Sequence, residues 1–283
     1  DQMEIERVIK DLGLDKPITE QYWYFVTNAV KGDLGRSFIF GEPALKLIVQ
    51  RMPATIELAL FSLFIAIVFG IPLGMYAGLK PNSRASRTIM ASSILGFSMP
   101  TFWVGILLIM FFAVYLGWLP STGRGELGSF MGIKSSLFTL DGLSHVFLPA
   151  FNLALFKMSS IIRLTRAGTR EIILQDYITF ARSKGISEAR VVMVHVLRNI
   201  LIPIVTVIGL EFGSLIAFST VTETVFAWPG MGKLIIDSIY NLDRPVIVAY
   251  LLIIVTFFVF LNLLVDILYS ILDPRVRVKE TRE

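Results

Sequence analysis

The chain contains no cysteine, which rules out a disulfide framework, a thiolate nucleophile and a cysteine metal site. It has only two histidines, His145 and His195. Charged residues make up 17% of its 283 residues, against about a quarter in soluble domains. Ten-residue stretches of alternating hydrophobicity are missing, which argues against a membrane β-barrel. The net charge of +4 and the pI of about 9.3 are not concentrated in a basic patch on a soluble domain, so a nucleic-acid partner is not expected. No signal peptide is in view: the chain opens on Asp1 in polar, amphipathic sequence. One faint phosphate-loop echo, "GMGKL" at 230–234, fails on both sides. The pattern requires glycine where Ala227 stands and Ser or Thr where Leu234 stands. A turn is the expected meaning of that stretch.

What is present is apolar sequence in long runs. Hydrophobic residues make up 54% of the chain and mean hydropathy is +0.70. The runs cover 54–79, 88–120, 146–162, 199–222 and 245–265. The second would be about 48 Å long as one helix, more than a hydrocarbon core of roughly 30 Å. Pro100 divides it, predicting a kinked or interfacial helix over 88–99 that feeds a span at 101–119. The fold class is therefore all-α, a polytopic transmembrane helical bundle with five visible spans.

Orientation follows from Lys and Arg in the connections. Lys80, Arg84 and Arg87 occupy 80–87 with no acid, and 163–198 carries seven Lys/Arg against three acids. The tail has Arg275, Arg277, Lys279 and Arg282, whereas 120–145 and 223–244 have two Lys/Arg each. The reading places the C-terminus in the cytoplasm and residues 1–50 outside. A polar outer segment without a signal peptide predicts a further helix ahead of Asp1, hence six spans. Three divisions result: an extracytoplasmic segment 1–50, a membrane domain 51–272 and a cytoplasmic tail 273–283. Within 1–50, "EIERVIKDLGL" has helical spacing, "KGDLGRSFIFGEP" reads as loop, and "EPALKLIVQRMP" as a short amphipathic helix before Pro53.

The basic connection is long. Asp176 is a candidate cap for a helix on which Tyr177, Phe180, Ala181 and Lys184 share a face by spacing. Gly185 suits a helix stop, and Ser187 a cap for the next helix with Glu188 in its first turn. The result is a helix, a sharp turn and a second helix, for which either a docking knuckle or a loop lying on anionic headgroups is a sufficient explanation.

"DYITFARSKGISEARVVMVHVLRNILIP" (176–203) resembles the cytoplasmic signature loop of ABC-transporter permease subunits. Ala181 and Gly185 match the last alanine and the glycine of its Glu-Ala-Ala-then-Gly motif. The general motif places its Leu-Pro nearer the glycine than Pro203 lies, so only the glycine half transfers. "LGLDKP" (12–17), "GDLGRS" (32–37), "ATIEL" (54–58), "SMPTFWVGILLI" (98–109), "TETVFAWPGMGKL" (222–234) and "NLLVDILYSILDPRVR" (262–277) resemble the dipeptide, oligopeptide and nickel importer branch, and its first permease subunit. The resemblance implies a binding-protein-dependent importer fold in a prokaryotic plasma (inner) membrane. It implies four partners besides the bilayer: a homologous second permease, two ATP-binding subunits and an extracytoplasmic substrate-binding protein. No cofactor is expected in this chain; ATP and magnesium belong to the ATP-binding subunits. Tyr177, Ala181, Arg182, Lys184, Gly185, Ser187 and Arg190 are the expected ATPase-coupling residues. The cargo expected is a short peptide, with nickel, haem or another small solute as alternatives inside the class.

No catalytic residue and no metal site are expected; the topology puts the two histidines on opposite sides of the membrane. Ionisable residues inside spans remain as functional candidates. Glu211 lies about twelve residues from either charged boundary of its run, and Lys157 lies in the neighbouring run. Both are expected to line the translocation pathway, as partners or separately. Glu57 and Asp266 are expected to snorkel or cap at span ends. An ion-gradient-driven secondary transporter, with Glu211 and Lys157 as coupling residues, is the alternative function.

Overall fold

In a computed structural model, residues 17–272 are described; the helix expected in "EIERVIKDLGL" and the basic tail lie outside the described residues. Helix α1 (Ile18–Val30) is followed by turns and by α2 (Ala44–Leu79). The amphipathic stretch before Pro53 is thus not a separate element: α2 is one helix of 36 residues that carries Pro53 and Pro72 in its interior. Helix α3 (Arg84–Ser98) turns at Met99–Pro100 into α4 (Thr101–Leu108), which runs on as π-helix over Ile109–Tyr115. The bend at this proline is 107°, so the division expected there is present. A small hairpin of β1 (Gly128–Phe130) and β2 (Ile133–Ser135) pairs Gly128 with Ser135. Helix α5 (Leu140–Ile173) leads to the short α6 (Asp176–Ser183). After a turn come α7 (Glu188–Arg190), a π-helical stretch (Val191–Val196) and α8 (Leu197–Phe218). Helices α9 (Thr220–Val225), α10 (Met231–Tyr240) and α11 (Arg244–Leu272) complete the described chain.

Among the described residues, α2, α5 and Arg244–Ile267 of α11 are each long and apolar enough to cross a membrane. Counted as one span each, two bent pairs bring the number to five: α3 with 101–115, and 188–201 with 203–218, the latter bent by 49°. One boundary differs from expectation: Arg163 to Ile173 is not loop but the continuation of α5, whereas the second helix expected to open at Glu188 does so. Charge marks where a span leaves the hydrocarbon, not where its helix ends. The "GMGKL" stretch is likewise no turn: Gly230 precedes α10 and Met231 opens it.

The bundle is built on the crossing of α2 and α5. Gly70, Gly74 and Gly78 recur every four residues on α2 and meet Ile161, Thr165 and Thr169 of α5. Without side chains there, the two backbones close up, and dispersion contacts replace the hydrophobic drive that lipid does not supply. A Cβ on Gly74 would stand 2.6 Å from the Thr165 Cβ and 2.7 Å from the Ile162 carbonyl oxygen. The apolar core continues from this seam into Leu215 and Ile216 of α8, Trp228, and Val246 and Ala249 of α11.

Gly74→Ala should therefore lower the detergent-phase thermal midpoint, by an amount equivalent to about 1–3 kcal/mol of overpacking. Gly96→Ala is the control, because a Cβ there first meets the Leu155 carbonyl oxygen at 3.7 Å. Equal midpoints for the two variants would show that the seam does not govern stability.

Candidate coupling knuckle and buried ion pair

Helix α6 ends in a hydrogen-bond pattern that a left-handed residue makes possible. Gly185 has φ +77°. Its N–H donates to the Arg182 carbonyl at 2.9 Å and the Ile186 N–H reaches the Ala181 carbonyl at 3.3 Å. These two bonds form a Schellman cap. Gly185 thus reverses the chain at the position expected of a helix stop. Asp176 is the first helical residue rather than the cap; Gln175 occupies the cap position without a side-chain bond. Ser187 does precede α7, but its side chain makes no capping bond.

The face expected from spacing divides in two. Ile178 and Ala181 point inward and pack with Val191, Val196, Ile200, Ile204 and Met75, so the knuckle sits on the end of α2 and the start of α8. Ala181 is buried against its own chain, whereas Tyr177, Phe180 and Lys184 are exposed, with the Lys184 Nζ 4.5 Å from the Phe180 ring centroid. Arg182 spans the turn to Glu188, Nε to Oε1 at 2.7 Å and Nη2 to Oε2 at 3.2 Å. This exposed fork fixes direction more than it stabilises. The Asn199 amide donates to the Tyr177 hydroxyl at 3.3 Å and to the His195 carbonyl at 2.6 Å, tying α6 to α8. Ser187 and Arg190 are exposed. Of the seven residues expected to act in coupling, Gly185 shapes the turn, Ala181 seats it, and the other five present side chains at the surface.

Lys157 and Glu211, expected from the sequence either as partners or separately, are partners. The Lys157 ammonium donates to Glu211 Oε2 and, at 2.6 Å, to Ser214 Oγ. Lys157 lies near the middle of α5, and Glu211 and Ser214 are on α8. Side-chain exposure is 11% for Lys157 and 21% for Glu211, so the pair lies within the bundle and is largely but not wholly buried.

Glu57 corrects the expectation of a snorkelling or capping residue; Asp266 is exposed. The Glu57 carboxylate is buried and accepts from the Ser136 hydroxyl, from the Ser136 N–H at 3.2 Å and from Arg124 Nη2 at 2.5 Å. Arg124 also lies over Trp228, 5.9 Å from its ring. A second buried acid, Glu223, accepts from the Thr55 and Ser219 hydroxyls, both at 2.8 Å, and from the Lys233 N–H at 3.0 Å. Thr55 in turn accepts from the Met231 N–H at 2.8 Å, and the Trp228 indole donates to the Ala54 carbonyl at 2.9 Å. A third, Asp243, accepts from the Ser37 hydroxyl and from the Phe38 N–H at 3.1 Å. These three carboxylates lock the 31–43, 120–139 and 219–243 connections onto the far end of α2. Sequence reasoning missed this network. The available signal was Glu57 itself, a lone charge in an apolar run, which must find a partner. Among the described residues no group of three or more His, Cys, Asp or Glu is placed to hold a metal.

This architecture has relatives. Residues 70–278 match the family model of the binding-protein-dependent transport system inner membrane component, and the chain belongs to that family. In fold it resembles the inward-facing MetNI methionine ABC transporter, with a TM-score of 0.65 at 18% identity over 81% of this chain and 97% of that one. In sequence it is 42% identical over 288 residues to the di/tripeptide transport system permease protein DppB of Pseudomonas aeruginosa, covering 98% of this chain and 85% of the relative. It is 38% identical to the dipeptide permease DppB of Escherichia coli K12, over 97% of this chain and 85% of that one. With the glutathione permease GsiC of the same strain it shares 39% identity over 99% and 86%. The all-α importer-permease fold expected from the sequence is the fold observed.

Burial pushes the Glu223 carboxyl above the usual carboxylate range, against the opposite pull of its Thr55, Ser219 and backbone donors. A carboxyl raised in the folded state stabilises it fully below the unfolded pKa, and that contribution fades as pH rises through the folded value. Relative to Glu223→Gln, the parent should thus lose thermal stability over the pH range that climbs from the usual carboxylate range toward the raised folded-state value. A difference in midpoint that stays flat or grows in this window would contradict the assignment.

Proposed function

We propose that this chain is one permease subunit of an ATP-driven importer of short peptides, and that it forms half of the translocation pathway. The observation that carries this reading is the two-faced knuckle within a family of transport-system permeases: one face is wedged into the bundle, the other is exposed and bears Tyr177, Phe180 and Lys184. An element fixed on one side and open on the other transmits a push from a neighbouring subunit. Two ATP-binding subunits supply that push, holding ATP and magnesium themselves. Arg182, Lys184, Ser187 and Arg190 offer them polar contacts around the turn. A homologous second permease supplies the other half of the pathway. A substrate-binding protein docks at the opposite end, on the connections clamped by Glu57, Glu223 and Asp243 and on the aromatic surface of α1, where Tyr22, Trp23 and Tyr24 are exposed. The Lys and Arg distribution orients the knuckle toward the cytoplasm and these connections outward.

The cargo class follows from the relatives, whose names specify dipeptides, di- and tripeptides and glutathione. Nickel, haem or another small solute is the alternative within the class. The Lys157–Glu211 pair favours a second reading, an ion-gradient-driven transporter in which this pair carries the coupling.

Reconstitution of the complete complex in proteoliposomes separates the two. Peptide uptake should require ATP and be indifferent to a proton gradient. Gly185→Val should lower uptake about tenfold, the factor matching the strain of a left-handed residue with a branched side chain, while the subunits still purify together. Uptake that follows a proton gradient without ATP would assign the chain to the second class.

A further inference from the structure

The buried acids of this chain fall into two kinds. Glu57, Glu223 and Asp243 are almost wholly buried and are answered by hydroxyls, backbone N–H groups and Arg124 from fixed connections. Glu211 differs. Its only charged partner among the described residues is Lys157 on another span, and both of its hydrogen bonds come to Oε2. Among the described residues Oε1 has no donor, and the side chain retains 21% exposure. Burying an ion pair between spans is poor value as scaffold, because desolvation cancels much of the attraction. The pair has a property that an apolar contact lacks: it can exchange partners without leaving a net charge unpaired.

We infer that Lys157 and Glu211 form a zwitterion-exchange site, at which the α-carboxylate of a free peptide replaces Glu211 on Lys157 while its α-ammonium takes Glu211. This rests on the peptide reading above. The one cation–anion contact of the resting pair is replaced by two, so the peptide's terminal charges are never bare in the low-dielectric middle of the bundle. Both side chains are long and unbranched, and they part by rotation about staggered bonds. A dipeptide spans about 7 Å when extended, a gap that two such side chains can open. Ser214 keeps the site aligned while the acid is away, because its hydroxyl accepts from the Lys157 ammonium at 2.6 Å as well as donating to Glu211 Oε2. A solute carrying one terminal charge leaves either Lys157 or Glu211 without a partner. The site therefore selects for peptides with both ends free.

The test uses the complete importer in proteoliposomes and three cargoes: a free dipeptide, its N-acetyl form and its C-terminal amide. Calorimetry first establishes that the delivering protein binds all three. Dividing each blocked-to-free uptake ratio by the parent's ratio cancels the delivery step. Glu211→Gln should raise the N-acetyl ratio about tenfold, the lower end of what a charge-assisted hydrogen bond contributes, and leave the amide ratio unmoved. Lys157→Gln should do the reverse. Ratios that move in neither variant, or that both rise together in each, overturn the inference; the second pattern is that of a loosened bundle. If a single neutral variant does not assemble, the double Lys157→Gln, Glu211→Gln carries the test with a dipeptide blocked at both ends, and a ratio equal to the parent's overturns it. A parent complex that takes up no peptide with ATP instead defeats the importer reading itself.

Discussion

Everything else in the bundle depends on how closely α2 and α5 approach. Three glycines at four-residue spacing let the two helices run in contact, and the two ends of α2 then carry different loads. One end holds Thr55 and Glu57, the anchors of the clamped connections. The other end holds Met75, part of the seat beneath the knuckle. Because apolar contact with lipid is as favourable as apolar contact with protein, such a seam must be made by fit, and bulk hydrophobicity is no substitute. A single rigid shaft thus connects the surface proposed for the delivering protein to the surface proposed for the ATP-binding subunits.

The polar groups are graded along that shaft. At the clamped end the buried carboxylates are saturated by short-range donors and act as rivets. In the middle, Lys157 and Glu211 satisfy each other with one oxygen to spare, an arrangement that tolerates rearrangement. At the knuckle the Arg182–Glu188 fork stands in solvent, where its net contribution is small and its directional effect remains. The gradient runs from permanent to exchangeable to screened, and it parallels the roles assigned to the three regions.

The sequence reading placed what depends on local chemistry. The apolar runs, the break at Pro100 and the reversal at Gly185 each follow from one residue's backbone or one run's length, and all three are present. The pairing of Lys157 with Glu211 was accessible because mid-span charges have few places to go. The misplaced features are those set by distant partners. Glu57 finds Arg124 across 67 residues of chain, and no local pattern encodes that meeting. The inward face of α6 was misassigned because an eight-residue helix has barely two turns, too few for periodicity to fix its phase. What sets the phase is the seat formed by Met75, Val196, Ile200 and Ile204, residues from other elements.

The π-helical stretch at Val191–Val196 has a geometric consequence for the path from the knuckle to the ion pair. An α-helix advances about 100° per residue, whereas wider i→i+5 turns advance less. Over six such residues the shortfall accumulates to roughly one residue, close to 100° of arc. The chain therefore carries an angular offset between Arg190, just ahead of that stretch, and Glu211 beyond it. A helical wheel drawn through both would aim the carboxylate about a quarter-turn away from the lysine it meets.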